Sequence, residues 1–305
     1  MKLAGIIITY NDGYKFKEWC NWYQEYKDEL FMLIIVDNGS EPEYLKQVEM
    51  VFKDAIIIKR TTNGGCTGAY NDGIRKALED SEVTHIALIG NDCRLATGAL
   101  TKCVELLDSD PELGMVAPVL QNADSDIVAD FGCTINKYLT MNPFGVGMKV
   151  NEIPQNVRYC EAVTGGVNVS KRSFYEMIVG LQDEKLFMYS DEVDMGLRAK
   201  KVGVKMAVTK NALSWHQHIN PPGNKMRHPF SNYLIARNKV YLGGKHFGRG
   251  RQIFIFNYFF FTGLLLYVKN ILFFHWNQLI YPRWAMIGAI NGLIGNMNEN
   301  KYSKL

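Results

Sequence analysis

The sequence lacks the features that mark several protein classes. Its six cysteines form no Cys-x-x-Cys pair, which argues against a zinc ribbon or a thioredoxin-type centre. It has no internal repeat or low-complexity tract, and 47% hydrophobic and 21% charged residues over 305 positions exclude a disordered chain. The opening MKLAGIIITYND contains no small-residue cleavage site. We therefore expect a first strand rather than a signal peptide, and reduced cysteines in a cytoplasmic protein.

Carboxylates are absent from a long stretch near the carboxyl end. Residues 195–298 contain 14 Lys and Arg and no Asp or Glu, whereas residues 1–194 contain 18 basic and 30 acidic residues. The formal net charge of +3 conceals this asymmetry. It indicates attraction to an anion, either the phosphates of a ligand or a membrane surface. A solvated basic face would give the same composition.

No apolar run reaches the roughly 20 residues that a membrane-spanning helix requires. The 17 uncharged residues 252–268 are interrupted by Asn257, and a second apolar run, 270–282, follows Lys269. Aromatic residues, Lys and Arg flank both runs. This pattern favours helices that lie in a membrane interface or pack on the rest of the chain. An ordinary buried helical hairpin is the alternative.

Short apolar runs alternate with amphipathic stretches through the first 120 residues. This alternation is typical of βαβ units and predicts a mostly parallel sheet. The predicted strands are 3–9, 32–37, 55–60, 84–90 and 114–120, and the predicted helices are 15–30, 42–52, 67–80 and 97–108. In such sheets ligands bind beyond the carboxyl ends of the strands, so we expect functional residues there.

The remaining chain is less regular. Residues 125–170 suggest short strands and loops, and a polar loop over 219–228 separates two parts at residues 1–218 and 219–305. The predicted helices and strands of this half are helices 171–180 and 191–203, strands 204–209 and 212–218, and helices 230–247, 252–277 and 281–297.

Polar clusters follow four of the predicted strands. They are Thr9-Tyr10-Asn11, the segment 36–40, the glycine-rich segment 63–73, and Gly90-Asn91-Asp92. Taken alone, Asp-Asn-Gly-Ser is a common turn. The glycine-rich segment begins a helix, whose free N–H groups can face a phosphate or sugar. Four clusters at strand ends predict one shared ligand cleft.

The order of these motifs resembles that of glycosyltransferase family 2, inverting nucleotide-sugar transferases of the GT-A fold. The resemblance covers residues 3 to about 218, and a looser one relates 231–242 and 286–295 to the bacterial rhamnosyltransferase-like branch. It rests on IITYN (7–11), VDNGS (36–40), NGGCTGAYNDG (63–73), IGND (89–92), TGG (164–166), SDEVDMGLR (190–198) and WHQH (215–218). It implies an α/β GT-A catalytic domain over 1–218, with a mostly parallel sheet flanked by helices. An apolar helical region over 219–305 follows.

The resemblance also implies a donor pocket. Asp37 would accept hydrogen bonds from the nucleobase or the ribose, as a carboxylate can; a turn-initiating aspartate is the alternative. Gly165 and Gly166 would let the backbone approach the sugar, or would form a bulge. The other implied ligands of the nucleotide sugar are Thr9, Tyr10, Asn11, Asn38, Asn63, Gly65, Gly68, Asn71 and Asn91.

A metal site is implied at Asp92, the aspartate of a DxD-like motif in which Gly90 replaces the first Asp. His216 would be the second ligand, with His218 as the substitute candidate. The alternative for His216 is a histidine satisfied at a strand end. Carboxylates and phosphates suit Mg²⁺ or Mn²⁺, and a histidine favours Mn²⁺.

The acidic helix start implies a catalytic base, Glu192 or Asp191. A carboxylate at a helix N-terminus is expected to stay ionised and accept a proton from an acceptor hydroxyl. Helix capping by Ser190 and the i,i+4 pair Asp194–Arg198 would explain the same segment.

The implied function is inverting transfer of a rhamnosyl, galactosyl or glucosyl unit. The donor would be a UDP- or dTDP-sugar, and the acceptor a hydroxyl of a bacterial cell-surface glycan or lipid-linked glycan. Lys225 and Arg227 of the basic loop would close over the phosphates. We expect a cytoplasmic enzyme, peripheral on the inner membrane, that binds no nucleic acid; a homo-oligomer is left open. The alternatives are a sugar-phosphate nucleotidyltransferase and a non-catalytic nucleotide-sugar-binding homologue.

Overall fold

The computed structural model of the protein describes residues 1–217 and 229–298. Its first part has the predicted alternation of strands and helices, because each Ile- and Val-rich run is buried between helices on both sides. The elements of this part are β1 (Leu3–Thr9), α1 (Phe16–Tyr26), β2 (Met32–Asp37), α2 (Pro42–Val51), β3 (Ile56–Lys59), α3 (Gly65–Glu79) and β4 (His85–Ile89).

The second part contains more strands and ends in two helices. Its elements are β5 (Cys93–Leu95), α4 (Ala99–Ser109), β6 (Leu113–Asn122), β7 (Val128–Asp130), β8 (Cys133–Ile135), β9 (Met141–Pro143), β10 (Val157–Cys160), β11 (Val167–Lys171), α5 (Phe174–Met177), α6 (Asp191–Lys201), β12 (Lys205–His216), α7 (Pro229–Leu272) and α8 (Ile280–Ile294).

The main sheet runs in the order β10-β12-β6-β11-β4-β1-β2-β3. Strands β4, β1, β2 and β3 are parallel, and β12 is parallel to β6. Strand β11 is antiparallel to both of its neighbours, β4 and β6, so it begins where β4 ends. The carboxyl ends of β1, β4 and β12 therefore meet the amino end of β11 at one edge of the sheet.

Three local predictions were wrong. The predicted helix 171–180 is reduced to α5, because β11 continues through Lys171. The predicted strands 204–209 and 212–218 are one strand, β12, with an irregularity between Thr209 and Leu213. Strand β5 was missed; it pairs antiparallel with β12 and places Cys93 opposite His216.

The helices α7 and α8 pack against each other and against the rest of the protein. Helix α7 is interrupted at Gly248, whose φ of +81° is not helical, between the two helices expected from the sequence. The first half of α7 joins a buried apolar cluster that includes Leu186 and Val193 on one side and Ala236 and Ala289 on the other.

The second half of α7 exposes large apolar side chains. Leu265 and Leu272 in this half, and Phe273 and Phe274 directly after it, are all more than half exposed. Among the described residues, α7 is the one helix long and apolar enough to cross a membrane, judged by length and composition alone. The most apolar stretch of this helix is 17% buried against the described chain.

Helices α7 and α8 pack closely because glycines in α8 let the backbone of α7 approach. A β-carbon on Gly292 would lie 2.3 Å from the carbonyl oxygen of Arg237, so Gly292→Ala must push the helices apart. We expect a loss of about 1–3 kcal/mol in the free energy of unfolding, measured by urea denaturation. The control is Gly250→Ala in α7, where a β-carbon meets no atom within 4 Å. Equal stability of the two variants would contradict this packing.

Candidate active site

A cleft of about 610 Å³ opens where the strand ends meet. Each motif contributes at least one predicted site residue to the lining of this cleft. Segments more than 100 residues apart in the sequence therefore meet in one cavity. They are Thr9, Tyr10, Asn38, Asn63, Gly65, Asn91, Asp92, Gly165, Gly166, Asp191, Glu192 and His216. His218, Lys225 and Arg227 lie outside the described residues.

Four predicted ligand residues do not line the cleft: Asn11, Asp37, Gly68 and Asn71. The Asp37 carboxylate is buried and accepts the N–H of Ser40, so it closes the turn after β2. The Asn11 side chain accepts the N–H of Glu41 at 2.8 Å. Both side chains therefore form hydrogen bonds within the loops at the strand ends.

Gly68 and Asn71 lie on the part of α3 that faces the protein. The Gly68 carbonyl accepts a hydrogen bond from Arg60. The Asn71 amide donates to Gln182 O and to Glu184 and accepts the N–H of Gln182. Asn71 therefore fastens the loop after α5 to α3.

Asn38 and Asn63 fix the glycine-rich segment at the cleft. The Asn38 amide donates to Asn63 Oδ1 and to the carbonyl of Gly65, and its oxygen accepts the N–H of Gly64. Gly65 N–H donates to Asn63 Oδ1 at 2.8 Å. These bonds place the N-terminus of α3 at the cleft wall and supply acceptors for the N–H groups of Gly64 and Gly65, while the Thr67 N–H donates to Phe187 O. The expectation that these N–H groups are free for a ligand is therefore corrected for all three.

The sequence-based reasoning missed Asp12 and Lys15, which also line the cleft. Asp12 accepts hydrogen bonds from Thr9, from Tyr10 N–H and from Asn91, and pairs with Lys15 at 3.2 Å. Lys15 is 7% exposed. Burial opposes its charge, but Asp12 and Asp92 outweigh burial and raise the pKa of Lys15. The cleft therefore contains a buried ammonium group. In the sequence, the one nearby indication of it is Asp12, three residues before Lys15.

Asp92 and His216 meet across the β5–β12 pair. His216 Nε2 lies 3.1 Å from Asp92 Oδ2, and with Cys93 their ligand atoms fall within 4.8 Å of one another. Burial opposes ionisation of Asp92, but the hydrogen bond and charge of His216, with Lys15, lower its pKa to about 2. Burial raises the pKa of the Cys93 thiol far above its usual value. A carboxylate and an imidazole are a donor set suited to a divalent cation.

Gly90 replaces the first carboxylate for a steric reason. Its N–H donates to Gly166 O at 2.7 Å. A β-carbon at this position would lie 3.0 Å from Asp92 Oδ1 and 3.1 Å from Gly166 O. The close approach of β4 to the Gly165–Gly166 segment therefore leaves little space for a side chain at position 90.

Asp191 and Glu192 form a carboxyl pair at the first turn of α6. A β-carbon on Gly165 would lie 2.6 Å from Glu192 Oε1, which places this carboxyl against the glycine pair. Burial raises the pKa of both groups, and the charge of Asp191 raises that of Glu192 further. The expectation that the helix N-terminus keeps Glu192 ionised is corrected: burial and a like charge outweigh the helix dipole.

Helix α7 holds the segment that precedes this pair. The Asn238 amide donates to the carbonyls of Leu186, Met188 and Tyr189, and the fully buried Arg237 donates to those of Lys185 and Leu186. Three residues of the segment, Phe187, Tyr189 and Ser190, have φ between +64° and +68°. Ser190 occupies the N-cap position but makes no side-chain cap bond, so capping by its hydroxyl was wrong.

Asp194 ties α6 to α7 directly. This fully buried carboxylate pairs with Arg198 at 3.0 Å, as expected from their i,i+4 spacing. It also pairs with Lys245 and His246 of α7, each at 2.7 Å. Burial opposes its charge, but these three partners outweigh burial and lower the pKa of Asp194. Asp194 is a structural charge rather than a free base.

Comparisons with known proteins identify sequences similar to this chain. The family model "Glycosyl transferase family 2" matches residues 6–131. N-acetylglucosaminyl-diphospho-decaprenol L-rhamnosyltransferase of Mycobacterium tuberculosis is 20% identical over 267 residues, which are 81% of this chain and 85% of the relative.

Solved structures show the same fold. GalNAc-T7, crystallised with UDP, GalNAc and Mn²⁺, has a TM-score of 0.62 at 13% identity over 79% of this chain; this chain spans 47% of its length. S. aureus TarS 1–349 in complex with UDP-GlcNAc has a TM-score of 0.52 at 13% identity, over 81% of this chain and 68% of TarS 1–349. The fold expected from the sequence, GT-A, is confirmed.

The carboxyl pair generates a pH-dependent prediction. Glu192→Gln is expected to stabilise the ligand-free protein, and the gain should grow between about pH 5 and pH 8. A glutamate in the unfolded chain ionises near about pH 4.3. In the folded protein burial and Asp191 oppose ionisation, so the wild type loses stability as pH rises through the raised pKa. Urea denaturation at several pH values measures this difference.

Glu184→Gln is the control, and we expect it to change the free energy of unfolding in the opposite direction. Burial opposes the charge of Glu184, but hydrogen bonds from Asn71 and Arg75 outweigh it and lower the pKa. The stabilisation that Glu184 contributes is present above its unfolded pKa and lost as pH falls, so this variant should be less stable near neutral pH. If the Glu192→Gln variant instead loses stability relative to the wild type as pH rises, ionisation of the carboxyl pair does not destabilise the folded protein and the prediction is wrong.

Proposed function

We propose that this chain, whose residues 6–131 match the model of glycosyltransferase family 2, is an inverting enzyme that transfers a sugar from a nucleoside diphosphate to a glycan hydroxyl. The proposal rests on one observation: two separate groups of ionisable side chains line the same cleft. The Asp191–Glu192 pair suits an accepting base, and Lys15 with Asp92 and His216 suits a diphosphate leaving group.

The donor would lie across the strand ends. Thr9, Tyr10, Asn38 and Asn91 line the side of the cleft near β1 and β4. The Lys15 ammonium would contact a phosphate oxygen, since a buried cation stabilises negative charge that develops on the leaving group. UDP or dTDP is the proposed carrier, and a TarS structure contains UDP-GlcNAc.

Asp92 and His216 would hold a divalent cation, which GalNAc-T7 also contains as Mn²⁺. When bound, such an ion supplies Lewis-acid stabilisation of the departing diphosphate. The imidazole nitrogen favours Mn²⁺ over Mg²⁺. Gly90 leaves this site one carboxylate short of the usual motif, and Lys15 supplies positive charge beside it.

The carboxyl pair would remove the proton of the acceptor hydroxyl. One member is ionised and the other is held protonated by burial and the like charge, so the pair can take up the proton near neutral pH. The hydroxyl oxygen forms a bond to the anomeric carbon as the bond from that carbon to the β-phosphate oxygen breaks. Attack from the opposite face inverts the configuration. Glu192 is the proposed base, and it accepts this proton while the proton already held by the pair lies on Asp191.

The acceptor proposal rests on the relatives. The mycobacterial relative is named for transfer to N-acetylglucosaminyl-diphospho-decaprenol. We infer a bacterial cell-surface glycan as acceptor, carried on a lipid diphosphate, and a position on the cytoplasmic face of the membrane. The apolar side chains around Leu265 and Phe273, with Arg251, Lys269 and Arg283 in a region free of acids, support peripheral attachment through residues 219–305.

Glu192→Gln and Asp92→Asn test the catalytic assignment. Each should lower kcat by about a hundredfold or more, because each removes a group that acts in the transition state. The measurement is release of nucleoside diphosphate from UDP- and dTDP-sugars, with and without Mn²⁺, on protein of verified folding. Glu105→Gln, on the exposed face of α4, is the control and should keep the wild-type rate.

A normal rate for Asp92→Asn would overturn the metal role. Pyrophosphate release from a nucleoside triphosphate would indicate the nucleotidyltransferase instead.

Vesicle binding tests the proposed location. The wild type should co-sediment with vesicles that contain phosphatidylglycerol, less with phosphatidylcholine alone, and less at high salt. The double variant Leu265→Ser, Phe273→Ser should lose most of this binding. Met50→Ser replaces an equally exposed apolar residue on α2 and should not change it. Unchanged binding by the double variant, or its conversion from a dimer to a monomer, would contradict membrane attachment through this surface.

A further inference from the structure

The base of the β8–β9 hairpin lies beside the start of α6. The Cys133 N–H donates to the carbonyl of Ala162 at 3.0 Å, just before the glycine pair. Leu139 belongs to the same buried apolar cluster as Val193, the residue after Glu192. Burial raises the pKa of the Cys133 thiol, and nearby charges that include Glu192 add to this effect. The hairpin therefore begins next to the carboxyl pair.

The tip of the hairpin lies on the second half of α7. The Tyr138 ring stacks on Phe254, with centroids 5.5 Å apart, and on Tyr258, with centroids 4.0 Å apart. Lys239 donates to the Thr140 hydroxyl at 2.7 Å, which fastens the returning strand. From the start of β8 to the tip the chain can span at most about 17 Å. One hairpin thus connects the carboxyl pair with the exposed apolar surface of α7.

Two cations, Lys137 and Arg251, lie at this tip. Arg251 Nη1 donates to the backbone carbonyl of Lys137 at 3.3 Å, and its guanidinium lies 5.6 Å from the centroid of the Phe254 ring. The Lys137 ammonium lies 5.2 Å from the centroid of the Tyr138 ring. Within residues 1–217 and 229–298, no carboxylate forms an ion pair with either cation.

The chain supplies little negative charge near these cations. Residues 131–151, which include the whole hairpin, contain no Asp or Glu, and neither do residues 195–298. Glu161, beside the hairpin base, is already bonded to the Ile135 N–H and to Lys200. Two neighbouring positive charges without a counter-charge attract an anion from solution.

The surroundings of the two cations indicate what else this anion carries. Phe254 and Tyr258 are each about two-fifths exposed, and Leu265 farther along α7 is 71% exposed. A hydrocarbon chain attached to the anion would cover these side chains and gain their burial. A diphosphate matches two cations held side by side, and a lipid diphosphate joins that charge to a hydrocarbon chain.

We propose that Lys137 and Arg251 bind the diphosphate of the lipid-linked acceptor outside the cleft. The lipid chain lies on the second half of α7, and the sugar points along the hairpin toward the carboxyl pair. This inference rests on the proposed function and adds the place at which the acceptor's carrier binds. Neither cation lines the cleft, so this anion site is separate from that of the departing nucleoside diphosphate.

Binding of farnesyl diphosphate tests the site. Calorimetry is done below the micelle concentration, on protein whose cleft is saturated with UDP and Mn²⁺. The wild type should bind farnesyl diphosphate more tightly than inorganic diphosphate, because only the former has a chain to cover α7. The double variant Lys137→Gln, Arg251→Gln should weaken farnesyl diphosphate at least about tenfold, since it removes charged hydrogen bonds to phosphate. Its dissociation constant for UDP, measured separately, should stay within about twofold.

Two control variants separate this site from a general effect of charge. Lys46→Gln, Lys53→Gln removes two exposed cations in and just after α2 and should change the affinity for farnesyl diphosphate less than about twofold. Arg251→Lys keeps the charge and should restore most of the affinity that Arg251→Gln loses. Thermal midpoints of all variants check that each is folded.

The acceptor provides a second measurement. With N-acetylglucosaminyl-diphospho-farnesol as acceptor, the double variant Lys137→Gln, Arg251→Gln should raise the acceptor KM about tenfold. Its co-sedimentation with phosphatidylglycerol vesicles should fall less steeply, because Lys269, Arg283 and the apolar side chains of α7 remain.

Four outcomes would overturn the inference while the proposed function stands. They are no farnesyl diphosphate binding once UDP and Mn²⁺ fill the cleft, equal weakening by the α2 control, an unchanged affinity in the double variant, and loss of vesicle binding as large as that of farnesyl diphosphate binding. The last would indicate a surface for anionic phospholipids. A wild type that binds farnesyl diphosphate in this way but transfers no sugar from any UDP- or dTDP-sugar would overturn the proposed function and leave the lipid diphosphate site standing.

Discussion

The carboxyl pair of the cleft stays in place because side chains from a distant helix pair the backbone carbonyls before it. Arg237 and Asn238 donate to carbonyls of residues 185–189, and three non-glycine residues of 185–190, Phe187, Tyr189 and Ser190, adopt left-handed backbone. Each such residue costs about 1–2 kcal/mol. The buried hydrogen bonds must offset that cost, so the first half of α7 is part of the framework that positions the carboxyl pair. The closer resemblance seen in the sequence ended near residue 218, and the looser one over 231–242 included Arg237 and Asn238 without indicating their contacts.

Much of the fold could be predicted because buried parallel strands appear as continuous apolar runs. LAGIIIT and MLIIVD became β1 and β2, and the polar residues after β1, β4 and β12 meet at one cleft. The break in α7 at Gly248 fell between two predicted helices. These features depend on local patterning and on a general rule about strand ends.

The parts that could not be predicted depend on contacts distant in sequence. Lys15 begins a predicted amphipathic helix and would ordinarily be solvated; its burial follows from the cleft and from Asp92. Strand β5 has three residues and exists because β12, more than 100 residues later, pairs with it. Asn71 resembled a ligand residue, yet its amide is fully occupied by the 182–184 segment. Local sequence contains none of this information.

The tight approach at Gly90 constrains how this chain can evolve. The space that a first aspartate would need is taken by Asp92 and by the carbonyl of Gly166. An aspartate at this position would therefore have to displace the Asp92 carboxylate or the Gly166 carbonyl by a few tenths of an ångström, so its effect on the backbone bond from Gly90 to Gly166 decides whether the substitution is tolerated.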